Sequence, residues 1–201
     1  MSDQLALIDM DGTVADLDAA LRIELAALAS PGEPEFQHGD EYPEWLENRR
    51  WMIMMQPGFW EELPEIPLGF QIVKHLEDWG FKTHVLTKGP SSKPRAWGEK
   101  LSWCRKHLPS SAVTVTEDKA QFYGRILVDD WKAYGMLWLG NRPRGLLIVP
   151  AQPWNVGAES WHPNVFRYTG THPSRLDDVI QTVCCRESNQ DLNLPWHRDD
   201  F

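Results

Sequence analysis

Residues 5–16 read LALIDMDGTVAD, and this stretch decides the fold. The mostly apolar run from Leu5 to Asp9 has the length and composition of a short buried strand. Asp9 and Asp11 follow one another with a single residue between them. Because side chains alternate along an extended segment, Met10 is predicted to point into the core. The sequence therefore directs two carboxylates off the end of a buried strand.

The rest of the chain alternates between short apolar runs and segments with helical spacing of apolar residues. Strands are predicted at residues 82–87, 112–116, 125–129, 145–149 and 165–168. Helices are predicted at residues 14–29, 43–55, 68–79, 94–108, 133–139 and 174–186. Short apolar strands separated by helices indicate a parallel sheet that is covered on both faces, so the fold class is α/β.

The residues that follow the first strand do not fit this alternation. Residues 14–67 contain two helical segments and two breaker-rich stretches but no strand, which indicates a small helical lobe inserted after the first strand. We therefore expect an α/β core formed by residues 1–13 and 68–187. Residues 14–67 are expected to form the inserted lobe, and residues 188–201 a C-terminal tail.

Polar residues follow several of the predicted strands, where an open α/β sheet binds its ligands. They are a carboxylate pair, a hydroxyl, an ammonium group and a second carboxylate pair: Asp9 with Asp11, Thr87, Lys119, and Asp129 with Asp130. Four crowded acids repel one another and resist ionisation, and a bound divalent cation resolves that conflict. Because the nearby ligand groups are all oxygens, with no Cys or His, Mg²⁺ is favoured over Zn²⁺.

Three other interpretations compete with this one. An EF-hand calcium loop has glycine at its sixth position, whereas Gly12 is the fourth residue counted from Asp9 and a strand precedes it. A receiver domain also clusters Asp, Thr and Lys at strand ends, but its lysine comes last, whereas Lys119 precedes the final acidic pair. The third interpretation is that solvated acids follow the strands by chance. Chance readily explains one acidic pair, but it does not readily explain four matched segments in order.

The bulk composition limits the classes of function. The chain has 201 residues and a formal net charge of -9. An acidic protein is a poor binder of duplex nucleic acid, which requires a basic face. The three cysteines are odd in number, and Cys184 and Cys185 are adjacent, which argues against a structural disulfide between them. With no signal peptide and no membrane-spanning run, we expect a soluble protein of the reducing cytoplasm.

With these residues in order, the chain resembles the haloacid dehalogenase (HAD) superfamily of aspartate-nucleophile phosphatases. The motifs of that superfamily are DxDGT, a strand-end Thr or Ser, a Lys and an acidic pair. They match Asp9 to Thr13, then Thr87, Lys119 and finally Asp129 with Asp130. The resemblance implies a three-layer Rossmann-like core, and it identifies residues 14–67 with the helical cap of the superfamily.

The resemblance also implies a role for each of these residues. Asp9 would be the nucleophile that forms an aspartyl-phosphate, and Asp11 would be the general acid and then the general base. The expected phosphate-binding residues are Gly12, Thr87, Lys88 and Lys119. The expected Mg²⁺ ligands are Asp9, Asp11 through its backbone carbonyl, and Asp130, with Asp129 in support.

Within the superfamily, the chain is most similar to the 5'(3')-deoxyribonucleotidase family. The segments DMDGTVAD, GFWEELPEIPLGFQIVKHLED, KPRAWGEKLSWCRKHLP and ILVDDW carry this similarity. In that family, cap aromatics sandwich the base of a nucleoside monophosphate, so Phe59 and Trp60 are expected to bind substrate. Trp45 and Trp51 are further candidates. The alternative is that these aromatic side chains simply fasten the cap to the core.

One position departs from the pattern of that family. Its animal members carry Thr-Ser after the second strand, whereas this chain has Thr87 followed by Lys88. Lys88 either adds a second cation near the phosphate or faces solvent. The sequence leaves these two alternatives open, and it leaves the preferred base, sugar and phosphate position open as well.

The predicted function is Mg²⁺-dependent hydrolysis of nucleoside monophosphates through an aspartyl-phosphate. One alternative is a HAD phosphatase for another small ester, such as a sugar phosphate. Another is a noncatalytic protein that binds a phosphorylated ligand or a partner. The intact motif residues argue against the noncatalytic protein, and the aromatic cap segment favours a nucleotide over a sugar phosphate. The deoxyribonucleotidase family is often dimeric, so the resemblance also implies a homodimer.

Overall fold

The computed structural model of the chain describes residues 4–33, 35, 43–90, 92–187 and 190–194. Within these ranges, one parallel sheet has the strand order β3-β2-β1-β4-β5-β6. The strands are β1 (Leu5–Ile8), β2 (Lys82–Lys88), β3 (Ala112–Thr116), β4 (Ile126–Val128), β5 (Leu146–Pro150) and β6 (Val165–Tyr168). The helices are α1 (Leu17–Leu28), α2 (Glu44–Met54), α3 (Pro67–Asp78), α4 (Pro94–His107), α5 (Lys132–Asn141) and α6 (Pro173–Cys185). The predicted α/β class is confirmed.

β1 lies in the middle of the sheet, between β2 and β4. Ala6 and Ile8 pack into one apolar cluster, whereas Leu7 packs into a second cluster on the opposite face. This alternation explains why the whole run is apolar, since helices cover both faces. Met10 continues the first of these faces and is fully buried, as the alternation predicted.

Three helical segments cover one face of the sheet and one covers the other. Side chains of α3, α4 and α6 belong to the larger cluster, which includes Ile72, Trp103 and Val179. Trp138 of α5 belongs to the smaller cluster on the opposite face. Helices on both sides of a parallel sheet form the three layers that the resemblance implied.

The segment between β1 and α3 has an apolar cluster of its own. Leu21 and Leu25 of α1 meet Leu46 and Ile53 of α2 there. The first and last residues of this segment lie side by side. The Ile66 N–H donates to the Val14 carbonyl at 2.8 Å, and the Asp16 N–H donates to the Pro64 carbonyl at 2.7 Å. We call these paired residues, 14–16 and 64–66, the neck.

The predicted helix and strand boundaries differ from the structure by a few residues. α1 begins at Leu17 rather than at residue 14, because the Asp16 carboxylate caps the helix by accepting a hydrogen bond from the Ala19 N–H at 2.9 Å. The domain boundaries at residues 14–67 and the tail at 188–201 stay predictions. The structure describes only residues 190–194 of that tail, where Leu192 and Leu194 are buried. No helix in the described ranges is long and apolar enough to cross a bilayer.

Candidate active site

Three carboxylates and a lysine form a buried cluster at the carboxyl edge of the sheet. Asp9 follows β1, and Asp129 with Asp130 follows β4, and all three side chains are buried. Lys119 begins a single helical turn after β3, and its Nζ lies 2.6 Å from Asp9 Oδ1 and 2.9 Å from Asp129 Oδ2. Lys119 therefore bridges two strand ends that are adjacent in the sheet.

The turn after β1 approaches Asp130 so closely that it requires glycine. Gly12 has a φ of 72°, in the left-handed region, and a Cβ built on it would lie 2.5 Å from Asp130 Oδ2. The buried Thr13 hydroxyl donates to Asp130 Oδ1 at 3.3 Å. The Gly-Thr pair of the first motif thus holds the two acidic segments together.

The two carboxylates of the second acidic pair have different surroundings. Asp129 Oδ2 contacts Lys119, and its Oδ1 accepts a hydrogen bond from the Trp131 N–H at 2.9 Å. Asp130 Oδ2 accepts a hydrogen bond from Trp154 Nε1 at 2.8 Å. Both oxygens of each carboxylate are thus engaged by protein groups, but Asp129 pairs with a cation, whereas Thr13 and Trp154 are neutral donors to Asp130.

Burial and mutual repulsion shift the pKa values in this cluster. Burial raises the pKa of Asp9 to about 7, against the opposing charge of Lys119 and with help from Asp129 and Asp11. Burial, followed by the charges of Asp129 and Asp9, raises the pKa of Asp130 well above its usual value. Burial would lower the pKa of Lys119, but the two neighbouring carboxylates outweigh it and raise that pKa. The protein alone therefore supplies too little positive charge for these acids.

The donor set fits a hard divalent cation. Asp9, Asp129 and Asp130 each offer a carboxylate oxygen, and these oxygens lie within 4.8 Å of one another. The set contains neither sulfur nor imidazole nitrogen, which matches the oxygen preference of Mg²⁺. A divalent cation would supply the missing positive charge.

Thr87 and Lys88 end β2 at the same edge of the sheet. Thr87 is fully buried. Lys88 is exposed and lines the cavity in front of the carboxylates, and its Nζ lies 5.0 Å from the centre of the Tyr134 ring. Of the two alternatives for Lys88, the position beside the site agrees with a second cation near the ligand.

The sequence analysis missed a second buried lysine, Lys100 of α4. Its side chain is 1% exposed and pairs with Asp11 Oδ2. Its Nζ also donates to the Lys88 carbonyl oxygen at 2.8 Å and to Thr87 Oγ1 at 3.3 Å. The helical pattern carried a signal, because Lys100 lies on the same face as the buried Trp103. A lysine on the apolar face of a helix requires a buried partner.

A cavity of about 560 Å³ joins this cluster to an aromatic wall. Asp9, Asp11, Gly12, Lys119 and Asp130 line its floor. The aromatic side chains on its walls are Trp51, Trp60, Trp131, Tyr134 and Trp154. Trp51 and Trp60 belong to the segment between β1 and α3, so the cavity lies between that segment and the sheet.

The predicted aromatic residues divide into two groups. Trp60 and Trp51 line the cavity, whereas Phe59 and Trp45 are not among its lining residues. Phe59 packs edge-on against Trp60, with ring centres 5.4 Å apart. Its predicted contact with a substrate stays a prediction, as does the alternative that it fastens the cap to the core.

Comparisons with known proteins agree with this geometry. The family model described as 5' nucleotidase, deoxy (pyrimidine), cytosolic type C protein (NT5C) matches residues 3–155. The human protein named 5'(3')-deoxyribonucleotidase, cytosolic type, is 29% identical over 140 residues, which cover 62% of this chain and 69% of that protein.

Solved structures resemble the fold across most of the chain. A HAD family hydrolase from Deinococcus radiodurans R1, solved with bound phosphate and sodium, has a TM-score of 0.56 at 11% identity and covers 90% of this chain and 96% of its own. A haloacid dehalogenase-like hydrolase from Burkholderia xenovorans LB400 has a TM-score of 0.50 at 17% identity and covers 89% of this chain and 95% of its own. At these identities the likeness shows the fold alone.

The match over residues 3–155 spans well over half of the chain, and the motif residues meet at one edge of a HAD-like sheet. The chain therefore belongs to the cytosolic type C 5'-nucleotidase (NT5C) family of the HAD superfamily and is a phosphoric monoester hydrolase of the nucleotidase type.

Proposed function

We propose that the chain hydrolyses nucleoside monophosphates in this cavity, with Mg²⁺ as its cofactor. The observation that supports this most strongly is the cavity itself, whose lining combines aromatic side chains with the carboxylates and lysines at the sheet edge. A volume of about 560 Å³ lies within the usual range of small-molecule sites. A phosphate at the floor and a base at the wall account for both surfaces.

Asp9 is the proposed nucleophile. One of its carboxylate oxygens attacks the phosphorus atom, and the bond between phosphorus and the ester oxygen breaks. Asp11 gives a proton to the departing oxygen, which leaves as the free alcohol of the nucleoside. A water molecule then attacks the phosphorus of the aspartyl-phosphate while Asp11 takes its proton. This second step releases inorganic phosphate and restores the carboxylate of Asp9.

The phosphoryl group would be held by donors that surround the Asp9 carboxylate. Lys119 lies within contact distance of Asp9, so its ammonium group would neutralise charge on both the nucleophile and the phosphoryl oxygens. The Thr87 hydroxyl and the backbone of the turn at Gly12 would supply neutral donors. Lys88, exposed at the cavity, would add a further positive charge.

The carboxylates of Asp9 and Asp130 and the backbone carbonyl of Asp11 would hold Mg²⁺. Asp129 would support them by holding Lys119 and the Trp131 N–H. When bound, the ion would neutralise negative charge on the transferring phosphoryl group. It would also relieve the repulsion that raises the pKa values of Asp9 and Asp130.

The base is proposed to stack on two residues of the aromatic wall, Trp51 and Trp60. Any base offers a flat π-face to such rings, so stacking by itself does not select one base. A sugar phosphate would leave these aromatic surfaces without a partner, which favours the nucleotide. The homodimer and the cytoplasmic location that the sequence indicated stay predictions.

The proposal can be tested by phosphate release from purified protein, with Mg²⁺ and with EDTA. The panel contains ribo- and deoxyribonucleoside 5'- and 3'-monophosphates, sugar phosphates and an aryl phosphate. Mg²⁺-dependent release that favours nucleotides would support the proposal and identify the preferred base and phosphate position. Release from sugar phosphates alone would contradict the role of the aromatic wall. Release from none of these substrates would contradict the proposal as a whole.

A further inference from the structure

Lys100 uses all of its hydrogen-bonding capacity inside the protein. A lysine ammonium has three donors, and those of Lys100 bond to Asp11 Oδ2, Thr87 Oγ1 and the Lys88 carbonyl oxygen. The ring of Trp60 covers the ammonium, with its centre 4.4 Å from Nζ. No donor is left for a phosphoryl oxygen, so direct binding of substrate is not the role of Lys100.

The partners of Lys119 are arranged differently. Within the described residues, its ammonium contacts the carboxylates of Asp9 and Asp129. One of its three donors is therefore available to a phosphoryl group. Both buried lysines line the cavity, but they differ in capacity, because Lys119 has a donor to spare and Lys100 has none.

Lys100 makes the two oxygens of Asp11 inequivalent. Oδ2 pairs with Lys100, whereas Oδ1 is buried and has no hydrogen-bond partner in the described part of the chain. Asp11 itself lines the cavity. The ion pair with Lys100 therefore fixes the rotation of the Asp11 carboxylate at the edge of the cavity.

The same helix also anchors the aromatic wall. Glu99, the residue before Lys100, accepts hydrogen bonds from the Gly58 N–H at 3.0 Å and from the Trp60 N–H at 3.4 Å. Helix α4 therefore connects the segment that carries Trp60 to the position of Asp11. Glu99 and Lys100 are both buried, although neither is one of the superfamily motif residues.

We propose that Lys100 is a positioning residue that holds Asp11 for proton transfer to the leaving oxygen. This inference rests on the proposed function, in which Asp11 is the general acid. Lys100 also orients the Thr87 hydroxyl. Because the Thr87 oxygen accepts a hydrogen bond from Lys100, its own O–H remains available to donate to a phosphoryl oxygen. Lys100 thus acts on the reaction through Asp11 and Thr87 without touching the substrate.

The test compares two leaving groups in the Mg²⁺-loaded enzyme. The alkoxide of a nucleoside requires a proton, whereas the phenolate of p-nitrophenyl phosphate leaves readily without one. Because general-acid catalysis contributes a factor of about 10² to 10⁴, Lys100→Met should lower kcat for the nucleotide by about 100-fold and for the aryl phosphate by only about 5-fold. KM should change little for either substrate.

Two matched variants control for loss of charge and loss of folding. Lys106 is exposed on the same helix, and Lys106→Met should leave both activities unchanged. Lys100→Arg keeps a cation at the site and should keep the ratio of the two activities close to that of the wild type. Thermal unfolding followed by circular dichroism reports whether Lys100→Met folds. If it does not, Lys100→Gln carries the same comparison.

A double-mutant cycle with Asp11→Asn completes the test. If Lys100 acts through Asp11, Lys100→Met should cost the Asp11→Asn enzyme only about 3-fold in kcat on the nucleotide, because effects of coupled residues do not add. Equal losses on both leaving groups, or fully multiplicative losses in the cycle, would overturn the role of Lys100 alone. A wild type that hydrolyses neither substrate would overturn the proposed function and this role together.

Discussion

The two sides of the cavity differ in how they are built. The floor is formed by the ends of neighbouring strands, where Asp9, Asp130 and Lys119 are buried and held by several hydrogen bonds. In the part of the wall that comes from the segment between β1 and α3, Trp60 is buried but Trp51 is 44% exposed, and the apolar cluster of that segment is small. The sheet therefore fixes the positions of the reacting groups, whereas the wall includes exposed side chains that can differ between proteins with different substrates.

The largest expected effect comes from the floor. Asp9→Asn removes the nucleophile while keeping the shape of the side chain, so kcat should fall by at least about 10⁴-fold, as for other catalytic nucleophiles. The fold should be retained, which circular dichroism and thermal unfolding would show. Normal turnover by Asp9→Asn would contradict the mechanism. It would also contradict the conclusion that the floor holds the reacting groups and the wall does not.

A change in the wall should be smaller and should depend on the substrate. Trp51→Ala is expected to raise KM for a nucleoside monophosphate by about 5- to 100-fold, since stacking on an aromatic side chain contributes about 1–3 kcal/mol per base. KM for a sugar phosphate should barely change, because it has no base to stack. Steady-state kinetics on both substrates would check this. An equal rise in both would place Trp51 in the reaction floor rather than in the wall.

The electrostatics of the floor predict how stability depends on pH and metal. The folded-state pKa of Asp9, about 7, lies above its unfolded value near 4. Between these values the folded state binds more protons than the unfolded state, so the metal-free protein loses stability as pH rises through this window. A bound cation removes the repulsion, so Mg²⁺ should raise Tm more at about pH 8 than at about pH 5.

Differential scanning fluorimetry with and without Mg²⁺ measures this difference. A monovalent salt at equal ionic strength is the control, because it screens exposed charges but does not replace a buried cation. An increase in Tm that is the same at both pH values would contradict a charge deficit at the floor.

The smallest effect concerns thiol reactivity. Cys104 of α4 is buried, and burial, with the charge of Asp11, raises its pKa to about 12. Cys185, at the end of α6, is exposed. Because the thiolate is the reactive form, iodoacetamide at about pH 8 should alkylate Cys185 well before Cys104. Peptide mass spectrometry reads both sites, and rapid labelling of Cys104 would show that solvent penetrates beneath the floor.

The sequence alone predicted which residues meet at the floor, but it predicted few of the residues that form the wall. The residues of the floor follow strands that are visible as apolar runs, so the rule that strand ends meet at one edge predicts that Asp9, Thr87, Lys119 and Asp130 converge. Their roles stay predictions. The comparisons confirm the resemblance that those residues carry.

The wall is assembled from parts of the chain that no periodic pattern connects. Trp131 directly follows the acidic pair and Trp154 lies in a loop after β5, and tertiary packing alone brings them to the cavity. Phe59 and Trp60 are neighbours in sequence, yet only Trp60 lines the cavity. The backbone there is irregular, so no periodic pattern indicates which of the two it would be. Lys100 was missed for a related reason, since a charged residue in a helix ordinarily faces solvent.

The neck at residues 14–16 and 64–66 has a consequence for how such proteins diversify. Its two strands of chain lie hydrogen-bonded side by side, so the whole intervening segment begins and ends at nearly the same point. Insertions and replacements between such closely spaced ends disturb the sheet little. Evolution, or an engineer, can therefore exchange the segment between the two arms of the neck and redirect an unchanged phosphoryl-transfer centre to a new class of ester.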